Sequence, residues 1–250
     1  MVTRFRHSLV LTYALPAEKL ERLIPAGLTL DTYGDVGFVA IAVVQTEHLR
    51  PVGAPAWIGQ NYFLSGYRVF ARHRDPTGRQ RRGLYILRSD SNRRSMVWGG
   101  NALTHYNYRL AQVAFTERPD RLHVEIRTPG AEADLQVVAD LSSIPADLPS
   151  GSPFARPTDA RRFAGPLPWT FDHERQTDSI VMIHARRSRW RPHPVAVEVK
   201  TCTFLERPPF AGVDSRLAHA FHVADVDYRW ERGVRVAISE PREPNRAVAP

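Results

Sequence analysis

One segment constrains the fold most strongly, the run VGFVAIAVVQTEHL (36–49). It is rich in β-branched residues and nearly all apolar, which is typical of a strand buried on both faces. Elsewhere in the 250 residues, strand patterns dominate, with few helices and no internal repeat or long linker. We therefore predict a mainly β (α+β) fold, a barrel or sandwich with helical caps. It should form a single domain at 1–240, followed by a disordered tail at 241–250.

The other predicted elements are short. Pro16 opens a helix, PAEKLERLI, because proline suits a first helical turn. Hairpins are predicted at 62–72 with 84–88, at 108–115 with 121–127 and at 179–186 with 195–205. Two more helices are expected at 92–104 and 215–221. The segment 142–170 is rich in proline, serine, glycine and alanine and predicts a long loop, of the kind that often covers a site.

The charge is strongly basic, with a formal net charge of +8. A basic balance can indicate nucleic-acid binding. Of the 34 basic residues, however, only Lys19 and Lys200 are lysine, and this skew resembles a general compositional preference for arginine. Basic and aromatic residues do not interleave on a strand face, so nucleic-acid binding ranks last among the functions considered.

Cys202 is the single cysteine, which excludes an intramolecular disulfide and favours a reducing, cytoplasmic compartment. The apolar run near the N-terminus is too short to cross a membrane, and no small-residue cleavage site follows it. We expect no membrane association.

Lys200 lies in the predicted strand VAVEVKTCTF. Strict alternation puts Glu198, Lys200 and Cys202 on one face. If that face points inward, desolvation would favour a neutral lysine amine able to form an imine with an oxo acid, although Glu198 would oppose this effect. The alternative is a solvent-facing Glu–Lys pair on the outside of a sheet.

Arg68 is predicted to share a strand face with Leu64 and Phe70. An arginine on an apolar face needs an anionic partner, because an unpaired buried charge is costly. Its planar fork suits a substrate carboxylate. A structural ion pair with an aspartate or glutamate is the other interpretation.

His7 is expected on a face with Phe5, Leu9 and Leu11, where it would be either a core residue or a general base. No metal or other cofactor is predicted. His219 and His222 are three residues apart, but they straddle a predicted helix end and lack a clear third ligand.

The order of motifs resembles the acetoacetate decarboxylase-like superfamily, in particular its YqjF-like branch of unknown function. The similarity begins with LERLIPAGLTLDTYGDVGFVAIAVV and continues through PVGAPAW, LSGYRVFAR, GLYILRSDSNRR and LTHYNYRLAQV. After residue 130 it is limited to the strand pair around Lys200 and the closing HVADVDYRW.

This resemblance implies a β-barrel with short helices packed outside and an internal pocket. Enzymes of the superfamily decarboxylate or condense small oxo acids through a lysine Schiff base. The corresponding position falls here on Tyr108 and Arg109, neither of which can form an imine. Leu64 and Gly66 replace the usual glutamate and asparagine, whereas the pocket arginine is retained as Arg68.

His105, Tyr106, Tyr108 and Arg109 lie at the joint where the resemblance implies that the family keeps its catalytic residues. They would either line a pocket or, as aromatic strand residues more often do, belong to the core. Three hypotheses follow. The chain is an enzyme of lyase type acting on a small oxo acid or related carboxylate, with Arg68, Arg109, His105 and Tyr106 binding substrate. Its chemistry would run through His7 or Tyr108 as acid–base groups, or through Lys200 beside Glu198. Alternatively, it is a non-catalytic small-molecule binding barrel or, ranked last, a nucleic-acid-binding protein. A homo-oligomer is a family-level expectation.

Overall fold

The computed structural model describes residues 1–75, 77–104, 106–188 and 190–238, without the side chain of Leu103. His105 and the predicted tail at 241–250 therefore lie outside the described residues. The α-helices of the described part are α1 (Ala17–Glu21), α2 (Arg94–Leu103), α3 (Pro157–Ala164) and α4 (Thr203–Glu206). Its strands are β1 (Val2–Pro16), β2 (Thr29–Leu30), β3 (Val36–Arg50), β4 (Gln60–Arg74), β5 (Gln80–Ser91), β6 (Tyr108–Leu110), β7 (Gln112–Arg118), β8 (Arg121–Arg127), β9 (Leu135–Asp140), β10 (Trp169–Glu174), β11 (Ser179–Arg187), β12 (His193–Pro194), β13 (Ala196–Cys202), β14 (Arg216–Trp230) and β15 (Val234–Ala237).

Seven strands of the larger sheet close into a ring. Their hydrogen-bonded order is β14, β1, β3, β4, β5, β10 and β11, and β11 pairs back to β14. Neighbouring strands of the ring are antiparallel except β5 and β10, which run parallel. Closure leaves few free edges in the ring, which is the usual advantage of a closed sheet. A second sheet of four strands, in the order β13, β9, β8, β7, packs against one side of the ring.

The central strand β3 is buried on both faces, as its sequence predicts. Ile41 and Val43 pack in the main core with Val124 and Val137 of the smaller sheet. Ala40, on the opposite face, points into the ring. The near-continuous apolar run therefore results from two different layers, one on each side of β3.

One end of the ring interior is filled by α3 and the chain around it. Phe163 of α3 and Phe154 pack on Phe38 of β3, with ring-centroid distances of 5.2 and 5.3 Å. Ala160 and Ala164 are the buried residues of this helix, and their small side chains allow a close approach to the sheet. The remaining interior space is the cavity described below.

The helix predicted at 215–221 is wrong, because these residues begin the long strand β14. β14 pairs with β1 from Arg216 to Arg229, interrupted only by a register shift at Thr12 and Tyr13. Long-range pairing with β1 outweighs the local helical preference of this segment.

The hairpin predicted at 179–186 with 195–205 is also wrong. β11 pairs with β10, β14 and β15 of the ring, whereas β13 pairs with β9 in the other sheet. The predicted loop at 142–170 contains α3 and leads into β10. Sequence-adjacent strands pair only in about two-thirds of cases, and the pairing of β10 with β5 is non-local.

Two register shifts break the predicted alternation. A shift between Phe5 and His7 turns Phe5 into the ring, while Leu9 and Leu11 pack towards the smaller sheet. A second shift, between Val199 and Thr201, leaves Lys200 without a partner residue in the pairing with β9. An extra residue of this kind changes the face of every side chain beyond it.

No helix within the described residues is both long enough and apolar enough to cross a bilayer.

Candidate functional site

A cavity of about 90 Å³ lies inside the ring. One water needs only about 10–15 Å³ of such space, so the cavity can hold a small organic molecule. Its walls come from all seven strands of the ring, from β6 and from the end of α3. Three connecting segments, which contain Tyr106, Leu167 and Trp190, complete the lining.

Arg68 points into this cavity from β4, on the face that it shares with Leu64 and Phe70, as the sequence predicts. Among the described residues, no carboxylate lies within 4.0 Å of its guanidinium, so the structure does not contain the ion pair that was the alternative. The Arg68 Nε atom is buried without a hydrogen-bond partner there.

Gly66 makes this placement of Arg68 feasible. A Cβ atom at Gly66 would lie 3.0 Å from Nη2 of Arg68, closer than ordinary packing distances. The guanidinium therefore lies over the bare backbone of its own strand. Gly66 is one of the positions at which the sequence departs from the acetoacetate decarboxylase-like pattern.

A second arginine, Arg187 of β11, also lines the cavity. Its guanidinium carbon lies 4.6 Å from the centre of the Trp190 ring, and Nη2 donates a 3.3 Å hydrogen bond to the carbonyl of Pro166. Burial lowers the pKa of Arg187 from its usual value. Sequence reasoning missed this residue, because its arginine-rich surroundings were attributed to composition.

Three hydrogen-bond donors around the cavity lack an acceptor among the described residues. Arg68 Nε, Tyr106 Oη and Trp190 Nε1 are all buried, and none has a partner among the described residues. Buried polar groups are nearly always paired, so three unpaired donors around one cavity call for an explanation. An acceptor-rich ligand provides one.

The tyrosines of the cavity remain protonated at neutral pH. Burial raises the pKa of Tyr106, Tyr108 and Tyr228 well above that of a free tyrosine, although Arg68 partly opposes the shift in each. Their hydroxyl groups can therefore donate hydrogen bonds to a ligand. The Tyr108 ring fits against α2 only because Gly100 has no side chain: a Cβ there would lie 2.6 Å from the ring.

No acidic side chain is among the described residues that line the cavity. The carboxylate behind its wall is that of Asp90, to which the Ser65 hydroxyl donates a 3.3 Å hydrogen bond. Asp90 is already paired with Arg88, at 3.0 Å from Nε to Oδ1. Burial raises the pKa of Asp90 despite this partner. The described lining of the cavity thus has two cationic groups and no carboxylate to balance them.

The other predicted site residues lie elsewhere. Lys200 and Glu198 form a solvent-facing pair 3.9 Å apart on β13, with side chains 49% and 70% exposed. Cys202, predicted on their face, is buried beyond the register shift. Arg109 is exposed and its Nη1 donates a 2.7 Å hydrogen bond to Glu132. Of the predicted site residues in the described part, only Arg68, Tyr106 and Tyr108 meet in the cavity.

His7 is buried between the two sheets rather than in the cavity. Its Nδ1 atom lies 3.0 Å from Nε2 of His222, and its Nε2 lies 3.2 Å from Oε2 of Glu117 on β7. Burial, with smaller effects of His7 and His193, lowers the pKa of His222 to about 4. These contacts connect the ring to the smaller sheet.

The fold and this cavity are those of a barrel-like protein with an internal site large enough for a small molecule. The sequence profile of the DUF2071 family, described as an uncharacterized conserved protein, matches residues 2–227. The chain belongs to this family. No curated protein gives a sequence match.

Solved structures share the fold over nearly the whole chain. The acetoacetate decarboxylase of Legionella pneumophila is 14% identical with a TM-score of 0.59, covering 95% of this chain and 88% of that one. An acetoacetate decarboxylase-like enzyme from Sphingomonas wittichii RW1 gives 14% and 0.59, with coverages of 94% and 93%. The enduracididine biosynthesis enzyme MppR, solved with pyruvate, gives 9% and 0.59, with coverages of 94% and 90%. The predicted acetoacetate decarboxylase-like fold is thereby confirmed.

Proposed function

We propose that this protein binds a small organic acid in the ring cavity, with the carboxylate held by Arg68 and Arg187. The observation that carries the proposal is the set of three buried donors without partners, on Arg68, Tyr106 and Trp190. All three face a cavity with no acidic lining among the described residues.

Physical chemistry favours a carboxylate over a neutral ligand. The Arg68 side chain is half-buried, and its Nε atom is buried without a partner among the described residues. An anion bound beside it offsets the cost of desolvating this charge. The planar guanidinium can bind both carboxylate oxygens at once. Small oxo acids fit this description, and the structural neighbour MppR was solved with pyruvate.

Imine chemistry is not part of the proposal. The chain has two lysines, and the side chains of Lys19 and Lys200 are 43% and 49% exposed, away from the cavity. A Schiff-base lysine needs an activated amine, usually in a desolvated pocket.

A second candidate is turnover of the bound acid by proton transfer, as in a lyase without a Schiff base. The position of the Tyr106 hydroxyl favours it, because this group is buried without a hydrogen-bond partner among the described residues and can donate to a ligand carbonyl. Incubation with pyruvate and acetoacetate, followed by product analysis, tests this candidate. Binding without product would leave the protein a binding barrel.

Calorimetry and thermal unfolding with pyruvate and acetoacetate test the binding proposal. We expect saturable binding and a rise in melting temperature, since a ligand at 100 times its Kd stabilises a fold by about 2.7 kcal/mol. Arg68→Met should weaken binding by about 1.5–3 kcal/mol, the usual value of a hydrogen bond to a charged group.

Arg109→Met is the matched control, because it removes an exposed arginine that already has Glu132 as its partner. It should bind as the unchanged protein does. Equal weakening by both substitutions, or no binding of either acid at millimolar concentration, would contradict the proposal.

A further inference from the structure

A large groove lies next to the cavity. Its volume is about 970 Å³, more than ten times that of the cavity at about 90 Å³. It runs between α2, the loop after β3 and the adjoining ends of β11, β14 and β15. Much of its surface is apolar, including Leu49, Val52, Met96, Val181 and Ile183.

The same side chains line both spaces. Leu64, Tyr106, Tyr108 and Trp230 form part of the cavity and part of the groove. One layer of side chains therefore separates the cationic interior from the apolar groove. A molecule in the cavity needs only a small displacement of this layer to extend into the groove.

One side chain of this layer, Tyr106, is held by packing rather than by a hydrogen bond of its hydroxyl group to another described residue. The Tyr106 hydroxyl has no hydrogen-bond partner among the described residues, so its rotation breaks no such bond. The following residue, Asn107, has a φ of +50°, a left-handed conformation that asparagine adopts more readily than most residues and that is common in turns. Tyr106 thus begins a turn rather than lying within regular structure.

The cavity and the groove are lined by different charged residues. Arg68 and Arg187 belong to the cavity and are absent from the groove lining. The arginines of the groove, Arg229, Arg232 and Arg235, lie together where β14 leads into β15, and Glu231 lies among them. Arg235 is paired with Glu174. The apolar residues Leu49, Val52 and Met96 belong to other elements, α2 and the end of β3 with the loop that follows it. A carboxylate is favoured inside, and an apolar chain is favoured outside.

We propose that the ligand class is an organic acid with an extended apolar tail, whose carboxylate lies beside Arg68 and whose tail lies in the groove. This inference rests on the proposed function, since it needs the carboxylate site. A short oxo acid then fills only the ring cavity, which is the inner part of the site, and leaves the groove empty.

Calorimetry with a series of straight-chain acids, from acetate to decanoate below their micellar concentrations, tests the inference. Once the chain reaches the groove, each added methylene should tighten binding roughly threefold to fourfold, the usual effect of burying one such group. Arg68→Met should weaken binding of octanoate, and octanol should bind more weakly than octanoate.

Two groove variants test where the tail lies. Val52→Gln and Met96→Gln change an exposed and a half-buried residue of the groove, outside the cavity lining. They should reduce the gain per methylene while leaving butanoate affinity unchanged.

The outcomes separate the two proposals. If short acids bind and longer chains bind no more tightly, the tail inference is overturned, but the proposed function of the cavity stands. If Arg68→Met leaves octanoate binding unchanged, the tail inference is overturned as well. Absence of binding for every acid would overturn the proposed function and the inference with it.

Discussion

Arg68 and Gly66 lie two positions apart on β4, and the missing side chain of Gly66 leaves room for the guanidinium of Arg68. The guanidinium of Arg68 lies over Gly66, where a Cβ would be 3.0 Å from Nη2. Strand alternation correctly predicted which face Arg68 occupies. The absence of a protein carboxylate beside it depends on side chains from other strands, and no local pattern predicts that.

Removing the charge of Arg68 is expected to stabilise the ligand-free protein rather than destabilise it. Because its charge has no carboxylate partner among the described residues, Arg68→Met should raise the free energy of unfolding of the ligand-free protein, by about 1 kcal/mol or more. Urea unfolding without added acid measures this. The same variant should lose the stabilisation that an added acid confers.

Arg88→Met is the informative comparison, because Arg88 is paired with the buried Asp90. Its loss should destabilise the fold by about 3–5 kcal/mol, the usual cost of breaking a buried pair. If Arg68→Met destabilised the ligand-free protein to a similar extent, Arg68 would have to be a structural residue.

At the scale of elements, β13 illustrates how one extra residue redirects a strand. Glu198 and Lys200 face solvent, and the register shift beside Lys200 turns Cys202 into the core. Burial raises the pKa of the Cys202 thiol to about 11, so it stays protonated at neutral pH. Alternation placed all three residues on one face, because a bulge leaves no signature in residue types alone.

The exposure of Lys200 leads to a second prediction. Incubation with pyruvate and borohydride should give no preferential adduct at Lys200, because the half-exposed side chain lacks the desolvation that activates a Schiff-base lysine. Peptide mass spectrometry measures the labelling of each lysine.

Lys19 serves as an internal reference, since its side chain is 43% exposed and also lies near a glutamate. Both lysines should be labelled to the same low degree. Stoichiometric labelling of Lys200 that exceeds Lys19 and is abolished by Lys200→Arg would restore the imine hypothesis.

At the scale of the whole molecule, two sheets and an internal cavity are held together by contacts far apart in sequence. His7 on β1, His222 on β14 and Glu117 on β7 connect the ring to the smaller sheet. His219, also on β14, is buried with neither ring nitrogen paired among the described residues. Burial lowers the pKa of His219 to about 4.

His219 and His222 make the stability of the fold dependent on pH. In the unfolded chain each imidazole is protonated below about pH 6.5, whereas in the folded protein it is protonated only below about pH 4. Between these two values the unfolded state binds more protons, so the free energy of unfolding falls as the pH decreases. Each group should contribute a loss on the order of 2 kcal/mol at pH 5 relative to pH 7. The carboxylates with lowered pKa values, such as Glu117, lose their contribution only at still lower pH.

Urea unfolding at pH 7, 6 and 5 measures this effect. His219→Leu should be less sensitive to pH than the unchanged protein, because the group that resists protonation has been removed. His48→Asn, which replaces an exposed histidine at a positive φ suited to asparagine, should keep the original pH dependence. Identical pH dependence in all three proteins would refute the assignment to His219.

Much of the β architecture was predictable from local patterns, and the failures were non-local. The segment at 36–49 and the strands around residues 62–72 and 84–88 carry their own signals, and they form β3, β4 and β5. The segment at 215–221 has a helical pattern but becomes part of β14, because β1 offers a full-length partner. The cytoplasmic location and the oligomeric state remain predictions.

The sequence by itself determined the strand-rich composition, the face of Arg68 and the restriction of lysine to two positions, Lys19 and Lys200. Only the tertiary structure decided that Arg187 and Trp190 join Arg68 around one cavity and that Lys200 lies outside it. The reason is physical. Residue types and spacing report local periodicity, whereas ring closure between β11 and β14 and a single-residue register shift depend on contacts between distant segments.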